Sequence, residues 1–591
     1  MKNSLLILVA FVFSFPAYST GVIKIHVNQV GFNTGQVKIA IIESPVSLRK
    51  DLYFNVTEAG SGKQVYQSVM GQPMQVEEWR AGHYFYRAEF TSLRKAGEYR
   101  LTVENVNGER VRSASFRIGD QFLTRTTIPA LIKYFRHQRA NTAIEWKADS
   151  AVLLYGSTKT ADVRGGWCDA SGDVSKYFSH LAYTNYMMPQ QTPLVTWSLI
   201  NTAERIPGLI SEWKMTDSLN AEAFWGADYL MRSLSAEGYF YMTVFSYFDK
   251  DPKARRIVGL LANSVTTSDY QCAFREGGGM AIAALARISS WREHGEFSSA
   301  QYLHSAERAY AHLLVNNEKY CDDGKENIID EYCALMAATE LWIATDSLFY
   351  RNEAREWAIR LAARFTDSGR IISNDASRPF WHASDAGLPV RALLRYLERE
   401  TDEKKRAGIN SLLGQWRLHT AMLDTEAANP FHYPRQEFVL NSRLQTGFFI
   451  PHENESGWWW QGENARLASL ATVMLGIDNA GSLKATNGNR NFNKIVASQQ
   501  VSWILGANPY DVCFLYGFGQ KNVPYMASSF GHGSGIGGIS NGITGKDGAA
   551  DGRGIDYLEQ AEGNEWRWTE QWIPHAAWFL QAMTELAGMG D

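Results

Sequence analysis

Helical periodicity extends over most of this chain and limits the folds that are open to it. From about residue 122 onward, apolar residues recur at three- and four-residue spacing in segments such as AEAFWGADYLMRSL, MAIAALARISSWREH and HAAWFLQAMTELA. This spacing is typical of helices with one buried face, and turns rich in Gly, Asn, Asp and Pro separate the segments. About 470 residues, divided into helix-plus-loop units of roughly 40, predict about twelve helices. The pattern therefore predicts a large all-α domain over 121–591.

The preceding hundred residues have a different character. IKIHVNQVGF, KIAIIES, LYFNVTE, HYFYRAEF and GEYRLTVEN are short runs of β-branched and aromatic residues, broken by Gly, Asn, Ser and Pro. Such runs at close spacing indicate a β-sandwich. The chain is thus predicted to be multidomain, with a β-sandwich over 20–120 followed by the helical domain.

The first nineteen residues have the pattern of an export signal. Lys2 supplies the positive end, 5–15 is an apolar run, Pro16 ends it, and Ala17 and Ser19 are small residues at the positions that a signal peptidase reads. The run is too short for a transmembrane helix. We therefore expect a cleaved signal peptide over 1–19, no membrane insertion, and a periplasmic or secreted protein.

Charge and cysteine content exclude several classes of partner. The 58 Lys and Arg residues nearly balance the 62 Asp and Glu residues, for a formal charge of −4, which gives no reason to expect nucleic acid as a partner. The five cysteines are scattered, with no C-x-x-C pattern and no paired histidines nearby. No metal site is predicted, and the oligomeric state is not indicated.

The stretch 165–177, GGWCDASGDVSKY, carries the clearest chemistry. Its glycines permit backbone conformations closed to other residues, so that Asp169 and Asp173 can turn toward one point. Two close carboxylates suit the binding of a water or a sugar hydroxyl, and mutual repulsion can tune one of them as a base. The alternative is an ordinary Asp/Gly turn in which the Asp side chains bond their own backbone.

This stretch resembles the GGW-Y-DAGD-x-x-K-F segment of glycoside hydrolase family 9, the inverting cellulase family. The resemblance implies that Asp173 is the general base and that Asp169 helps to hold the attacking water; Ser171 lengthens the gap between the two acids by one residue. The opening VNQVGF at 27–32 resembles the start of the immunoglobulin-like module that precedes many catalytic domains of the family. The family further implies an (α/α)6 barrel for the helical domain.

An inverting hydrolase also needs a general acid, with the two carboxyl groups roughly 6.5–9.5 Å apart. The family places a Glu shortly before the last helix, where Glu565 and Glu570 both stand here. We favour Glu570, because the tryptophans around it would raise its pKa by desolvation and because Pro574 suits the first turn of the final helix. Glu565 remains the alternative.

Two further segments predict sugar contacts. Trp381, His382 and Asp385 combine an indole, an imidazole and a carboxylate within five residues, although a core histidine beside a core tryptophan would explain them equally well. The segment 451–464, PHENESGWWWQGEN, cannot turn all three tryptophans into one core. We therefore predict Glu455, Trp459 and Trp460 as substrate-binding residues.

The resemblance points to the exo-acting branch of the family. Endoglucanases of the family usually carry a P-H-H-R-type element that contacts substrate, whereas this chain reads VPYMASSFGHGSGIGG, with His532 but no following Arg. We expect an inverting hydrolase that removes terminal residues from β-1,4-linked glucosamine or glucose oligosaccharides. The alternatives are an endo-β-1,4-glucanase and, in another class, a non-catalytic glycan-binding protein. No cofactor is expected, and a structural calcium ion is left open without any pattern that indicates one.

Overall fold

The computed structural model describes residues 22–49, 52–104, 108–180, 190–247, 249–261, 264–373, 384–451, 453–454, 457–458, 462–479, 487–546, 551–563 and 565–589, with backbone alone for 453–454, 457–458 and 487–490. Strands dominate up to residue 119 and helices from residue 122. None of the helices in this described part is long and apolar enough to cross a membrane.

The N-terminal region is a β-sandwich. One sheet has the strand order β1-β3-β6, and the other has the order β2-β9-β7-β4-β5 with β8 paired to β7. All pairs are antiparallel except β2–β9. The alternating runs predicted from the sequence supply the apolar residues between the sheets. The strands are β1 Lys24–His26, β2 Gly31–Asn33, β3 Ile39–Ser44, β4 Tyr53–Glu58, β5 Gln64–Val69, β6 Tyr84–Glu89, β7 Gly97–Glu104, β8 Arg110–Arg112 and β9 Phe116–Gly119.

The rest of the chain is mainly helical. Twelve of the described helices have eleven residues or more, in agreement with the number predicted from the periodicity. The helices are α1 Phe122–His137, α2 Ala143–Ala148, α3 Thr192–Arg205, α4 Pro207–Glu212, α5 Thr216–Arg232, α6 Gly278–Ile288, α7 Ser299–Tyr320, α8 Ile328–Thr345, α9 Leu348–Ala362, α10 Leu388–Arg399, α11 Glu403–Thr425, α12 Glu463–Asn479, α13 Asn487–Ile504, α14 Trp566–Thr569 and α15 Ile573–Gly588.

Six of these helices close into an inner ring. α3 packs against α6, α6 against α8, α8 against α10, α10 against α12, α12 against α15, and α15 against α3. An outer helix lies against each inner one: α1 on α15, α5 on α3, α7 on α6, α9 on α8, α11 on α10 and α13 on α12. Every residue of α6 is buried, as expected for a helix that is apolar on nearly all sides, and its charged residue Arg287 donates to Glu204 at 2.7 Å. The predicted class, an immunoglobulin-like β-sandwich followed by an (α/α)6 barrel, is confirmed.

Short strands occupy the loops between the helices. β12 Lys176–Tyr177, β13 Thr243–Phe245, β14 Arg256–Leu261 and β15 Val265–Thr267 form one antiparallel sheet. Three two-stranded pairs also occur in the described part of the chain: β10 Val152–Leu153 with β11 Thr160–Ala161, β16 Gln436–Leu440 with β17 Arg443–Gly447, and β18 Glu453–Asn454 with β19 Gly457–Trp458.

The sandwich and the barrel share an apolar core. Trp79 of the sandwich inserts among barrel aromatics, with its ring centroid 4.7 Å from that of Phe448 and 5.7 Å from that of Trp503. Arg87 adds a hydrogen bond of 2.9 Å from its Nε to the carbonyl of Pro430. Buried aromatic contacts of this kind hold two domains in one arrangement.

A buried histidine also joins the two domains. The ring of His26 lies between Glu43 Oε2 at 2.9 Å and Asp511 Oδ1 of the barrel at 2.6 Å. Burial alone would lower the pKa of His26, but the two carboxylates outweigh it and raise the pKa to about 9. The imidazole is therefore a cation held between two acids.

Candidate active site

The predicted acid pair lies in a loop whose shape depends on glycine. Gly166 and Gly172 have φ values of 72° and 83°, a region that residues with a Cβ rarely adopt. A Cβ on Gly166 would lie 2.8 Å from the ring of Tyr229, so the loop packs directly on α5. This close packing fixes the backbone on which Asp169 and Asp173 stand.

The loop is also an Asp/Gly turn, the alternative that the sequence left open. Asp173 Oδ1 accepts a hydrogen bond of 2.9 Å from the backbone N–H of Ser175, which is the Asx pattern. The same oxygen lies 3.5 Å from the hydroxyl of Ser246. The turn and the convergence of the two acids are therefore compatible, because the turn orients the carboxyl group of Asp173.

The C-terminal segment 570–573 pairs with this loop. Ala170 and Trp572 form an antiparallel bridge, and the N–H of Ile573 donates to the carbonyl of Asp169 at 3.1 Å. Glu570 therefore stands beside Asp169 and Asp173. Glu565 lies at the N-cap of α14 with its side chain exposed to solvent, so the structure places Glu570, and not Glu565, against the aspartate pair.

The three carboxyl groups have unequal surroundings. Asp169 is 1% exposed and Glu570 is 8% exposed, whereas Asp173 is only partly buried. Burial raises the pKa of Glu570 well above its ordinary value, and the nearby charge of Asp173 raises it further. Burial likewise raises the pKa of Asp169, with further contributions from Asp173 and Glu570. Burial and the neighbouring charges therefore shift Asp169 and Glu570 toward the protonated form relative to an exposed carboxyl group.

Two aromatic side chains complete the site: Trp572, one of the tryptophans expected around Glu570, and His180, which the sequence analysis did not single out. The indole N–H of Trp572 donates to Glu570 Oε2 at 2.5 Å. His180 places its Nε2 3.4 Å from Asp169 Oδ2, and its ring centroid lies 5.0 Å from that of Trp572. Burial lowers the pKa of His180 to about 3, so the ring is neutral. Trp572 is only two residues from Glu570 in the sequence, whereas His180 carries no sequence signal, because only the fold brings it to the acids.

A buried network of charged side chains supports the loop that carries Asp169 and Asp173. Arg255 donates from Nε to the carbonyl of Val174 at 2.8 Å and from Nη1 to Asp149 at 2.8 Å. Lys176 Nζ reaches the other oxygen of that carboxylate at 2.7 Å. These residues are almost inaccessible to solvent, and because each charge is paired, the network holds the loop without leaving an isolated buried ion.

His532 belongs to this network and does not face the acid pair. Its Nε2 lies 2.9 Å from Glu145 Oε1, and its backbone carbonyl accepts a hydrogen bond of 2.7 Å from the N–H of Gly172. Burial opposes a charge on the ring, but Cys168 and Glu145 raise the pKa of His532 to about 10. His532 therefore supports the acid loop through Glu145 and Gly172.

The residues Glu145, Cys168 and His532 also form a potential metal-ligand set, since one ligand atom of each lies within 4.8 Å of the others. Arg255 Nη2, however, lies 3.0 Å from Glu145 Oε1 and 3.6 Å from the Cys168 sulfur. Its positive charge lies where a cation would be coordinated, and the set therefore fits a metal ion poorly.

The predicted sugar-binding residues have different outcomes. Trp381, His382, Glu455, Trp459 and Trp460 lie outside the residues whose side chains the structure describes. Asp385 is fully buried just before α10, and its two oxygens accept hydrogen bonds from the indole of Trp578 and from the backbone of Gln190. Its described contacts are therefore with protein donors.

Comparison of the sequence with protein-family models identifies the family. The model of glycosyl hydrolase family 9 matches residues 126–545, which is most of the chain. The chain belongs to glycosyl hydrolase family 9. A cellulase N-terminal ig-like domain matches residues 22–108. The prediction of a glycoside hydrolase is confirmed, and the alternative of a non-catalytic glycan-binding protein is set aside.

Solved structures show the same fold at low sequence identity. A metagenome-derived family 9 endoglucanase aligns with a TM-score of 0.66 and 17% identity over 96% of this chain and 99% of that one. A family 9 protein of Bacteroides ovatus gives 0.62 and 20% over 96% and 99%, and endoglucanase J30 gives 0.66 and 18% over 94% and 99%. Comparison with curated proteins gives no match.

Proposed function

We propose that this family 9 hydrolase inverts the anomeric centre and removes terminal residues from β-1,4-linked glucosamine or glucose oligosaccharides. The observation that carries the mechanism is the meeting of Glu570 with Asp169 and Asp173, about four hundred positions earlier, in one site with unequal burial. An inverting hydrolase needs one protonated and one proton-accepting carboxyl group, and unequal burial provides such a pair.

In this mechanism Glu570 is the general acid. Its raised pKa keeps a proton on the carboxyl group, which donates it to the departing glycosidic oxygen. Asp173, with its Oδ1 oriented by Ser175, removes a proton from the attacking water. Asp169 lies beside Asp173 and helps to position that water. Both proton transfers belong to one displacement, and the anomeric configuration is inverted as a result.

The exo assignment depends on two departures from the pattern of the endoglucanases. Ser171 lengthens the acid loop and bonds it to the C-terminal segment, and His532 is buried in the supporting network. Because both positions depart from the endoglucanase pattern, we infer that the contacts available to a long glucan chain differ here. We further propose that the protein is exported, periplasmic or secreted, as the sequence of residues 1–19 suggests.

The endo alternative makes a different prediction for product release. The protein would be incubated with chitosan oligomers, cello-oligomers and carboxymethylcellulose. Monomer released from the oligomers with little change in polymer viscosity supports exo action, whereas a rapid fall in viscosity supports an endo-β-1,4-glucanase. Monomer from one oligomer series and not the other identifies the sugar.

Stereochemistry tests the mechanism independently. Proton NMR of the first product is expected to show the α-anomer, and an initial β-anomer would overturn the inverting assignment. Asp173→Asn is expected to lose turnover while remaining folded. Asp217→Asn, at an exposed position in the first turn of α5, is the matched control and should retain full activity.

A further inference from the structure

Three inner helices begin close together near the acid site. Asp385, just before α10, accepts a hydrogen bond of 2.7 Å from Trp578 Nε1 of α15 and one of 3.1 Å from the backbone N–H of Gln190, just before α3. Farther along the same helices, Arg391 of α10 bonds Glu585 of α15 at 2.9 Å and Asn201 of α3 at 3.0 Å. These contacts join α10 to α3 and α15 across the interior of the ring, because α10 packs directly against α8 and α12.

Three polar side chains near the contacts of Asp385 have no hydrogen-bond partner among the described residues. Both the amide oxygen and the amide nitrogen of Gln191, the hydroxyl of Ser384 and both ring nitrogens of His575 are buried without a hydrogen bond there. All three side chains are 0% exposed. A buried polar group that nothing satisfies destabilises the fold, and a native fold keeps such groups where a water or a ligand bonds them.

The position of His575 directs this set toward the acids. His575 precedes Trp578 by three residues, which places it on the same face of α15 one turn nearer to Glu570. Its ring centroid is 6.5 Å from that of Trp572, the residue that bonds Glu570. Farther down the α3–α15 contact, Gln581 donates to Ser198 at 2.8 Å. Gln581 Oε1 also lacks a partner among the described residues, so the feature that marks His575 is its place beside Trp572 and not a missing bond alone.

The chemistry of this set matches a hydroxyl group. Burial lowers the pKa of His575 to about 3, against a smaller raising effect of the Trp572 backbone carbonyl. The ring is therefore neutral, and a neutral imidazole has one donor and one acceptor, as the amide of Gln191 has both kinds. A sugar hydroxyl donates one hydrogen bond and accepts others, and therefore satisfies both. An ammonium group only donates and would leave the amide N–H groups of Gln191 unsatisfied.

We propose that Gln191, Ser384 and His575 form the floor of the sugar pocket, and that Gln191 selects a hydroxyl at the position it contacts. The oxygens of Asp385 are occupied by Trp578 and Gln190, and this carboxylate therefore braces the floor from behind. The inference rests on the proposed function, because it takes the sugar beside Glu570 as the ligand.

Discrimination between substrates tests the floor. The substrates are p-nitrophenyl β-D-glucoside and its 4-deoxy, 6-deoxy and 2-amino-2-deoxy analogues, and kcat/KM is measured for the wild type, for Gln191→Leu and for Gln581→Leu. In the wild type, removing the contacted hydroxyl should lower kcat/KM at least tenfold. In Gln191→Leu the kcat/KM values of the glucoside and of that analogue should differ by no more than about twofold, whereas Gln581→Leu should retain the wild-type difference.

Thermal unfolding separates recognition from a structural role. Gln191→Leu removes buried groups that lack partners, so its Tm should be unchanged or higher, while Gln581→Leu should lower Tm by breaking its bond to Ser198. Unaltered discrimination in Gln191→Leu overturns the inference. His575→Gln, which keeps a donor and an acceptor, should retain partial discrimination and gives a second reading if the Leu variant fails to fold.

A binding measurement tests the floor even if the proposed hydrolysis is wrong. If the wild type hydrolyses none of the four glucosides, calorimetric titration of the wild type and of Gln191→Leu with cellobiose decides the inference alone. Saturable binding that Gln191→Leu weakens at least tenfold supports the floor, and equal binding to both proteins, or no binding to the wild type, overturns it.

Discussion

Ser171 and Gln571 are paired by two hydrogen bonds of 2.8 Å, one from the N–H of Ser171 to the carbonyl of Gln571 and one from the N–H of Gln571 to the hydroxyl of Ser171. The residue that lengthens the acid loop is therefore the residue that attaches the loop to the segment carrying Glu570. The distance between the proposed base and the proposed acid depends on this pair.

Ser171→Ala should weaken this attachment. The substitution removes the hydroxyl acceptor and leaves the N–H of Gln571 buried without it, at a cost of about 1–3 kcal/mol in the free energy of unfolding. We expect kcat to fall roughly tenfold, because displacement of the acid or the base by a fraction of an ångström is costly. Denaturant unfolding and steady-state kinetics measure the two effects. Ser175→Ala, which retains the backbone N–H that bonds Asp173, is the comparison, and an equal loss of kcat in both variants would contradict the argument.

The two late glutamates should differ sharply. Glu570→Gln should lower kcat/KM by about 100- to 10,000-fold, the range for loss of a general acid or base, because an amide cannot supply the proton. Glu565→Gln should change it less than twofold, since Glu565 is exposed at the N-cap of α14. A substrate with a good leaving group, such as 2,4-dinitrophenyl glucoside, should partly restore the Glu570→Gln rate. Equal loss in both variants, or in neither, would show that the acid lies elsewhere.

Trp572→Phe should move the alkaline limb of the pH–rate profile. The indole N–H bonds the carboxylate form of Glu570 and so lowers its pKa against the raising effect of burial. Without that bond the pKa of Glu570 rises further, the proton is retained to higher pH, and the fall of kcat/KM at alkaline pH should occur later. Profiles of kcat/KM between pH 4 and about 10 measure the limb. A shift to lower pH would contradict the assignment of Glu570 as the acid.

Periodicity predicted the architecture because the helices meet ordinary requirements. The segment HAAWFLQAMTELA became the inner helix α15, with Pro574 in its first turn, and the strand-rich runs before residue 120 became the sandwich. Closure of six helices into a ring could not be predicted from periodicity, since that pattern shows which face is buried and not which helix covers it. The ring came from the family resemblance.

The site was predicted where local sequence and chemistry coincide. Asp169 and Asp173 are close in sequence, and a tryptophan-rich surrounding favoured Glu570 over Glu565. Trp572 was among the tryptophans expected to surround Glu570, although its hydrogen bond to that residue was not predicted. His180 and Gln191 were missed, because their contacts join segments that are distant in sequence. His532 was noted as a departure from the endoglucanase pattern, but its buried role depends on Glu145, nearly four hundred residues earlier.

His532→Gln should lower kcat with little change in KM. The imidazole bonds Glu145 from one side while the backbone of His532 bonds Gly172, so loss of the ring contact should loosen the acid loop without touching the sugar. We expect a stability loss of about 1–3 kcal/mol and a fall in kcat of several-fold. The comparison is His419→Gln. His419 lies on the outer helix α11 and bonds Glu437 of β16, so this variant should lose stability and retain kcat. An unchanged kcat in His532→Gln would limit the residue to a structural role.

The junction between sandwich and barrel should weaken at alkaline pH. The pKa of His26 is raised from 6.5 to about 9 by Asp511 and Glu43 in spite of burial, so its contribution is fully present below pH 6.5 and is lost as pH rises through 9. A shift of this size corresponds to at most about 3 kcal/mol. The Tm difference between the wild type and His26→Gln should therefore be largest near pH 6 and shrink toward pH 9.5. His294→Gln, at an exposed position, should show no such trend, and a wild-type advantage that grows with pH would contradict a charged His26.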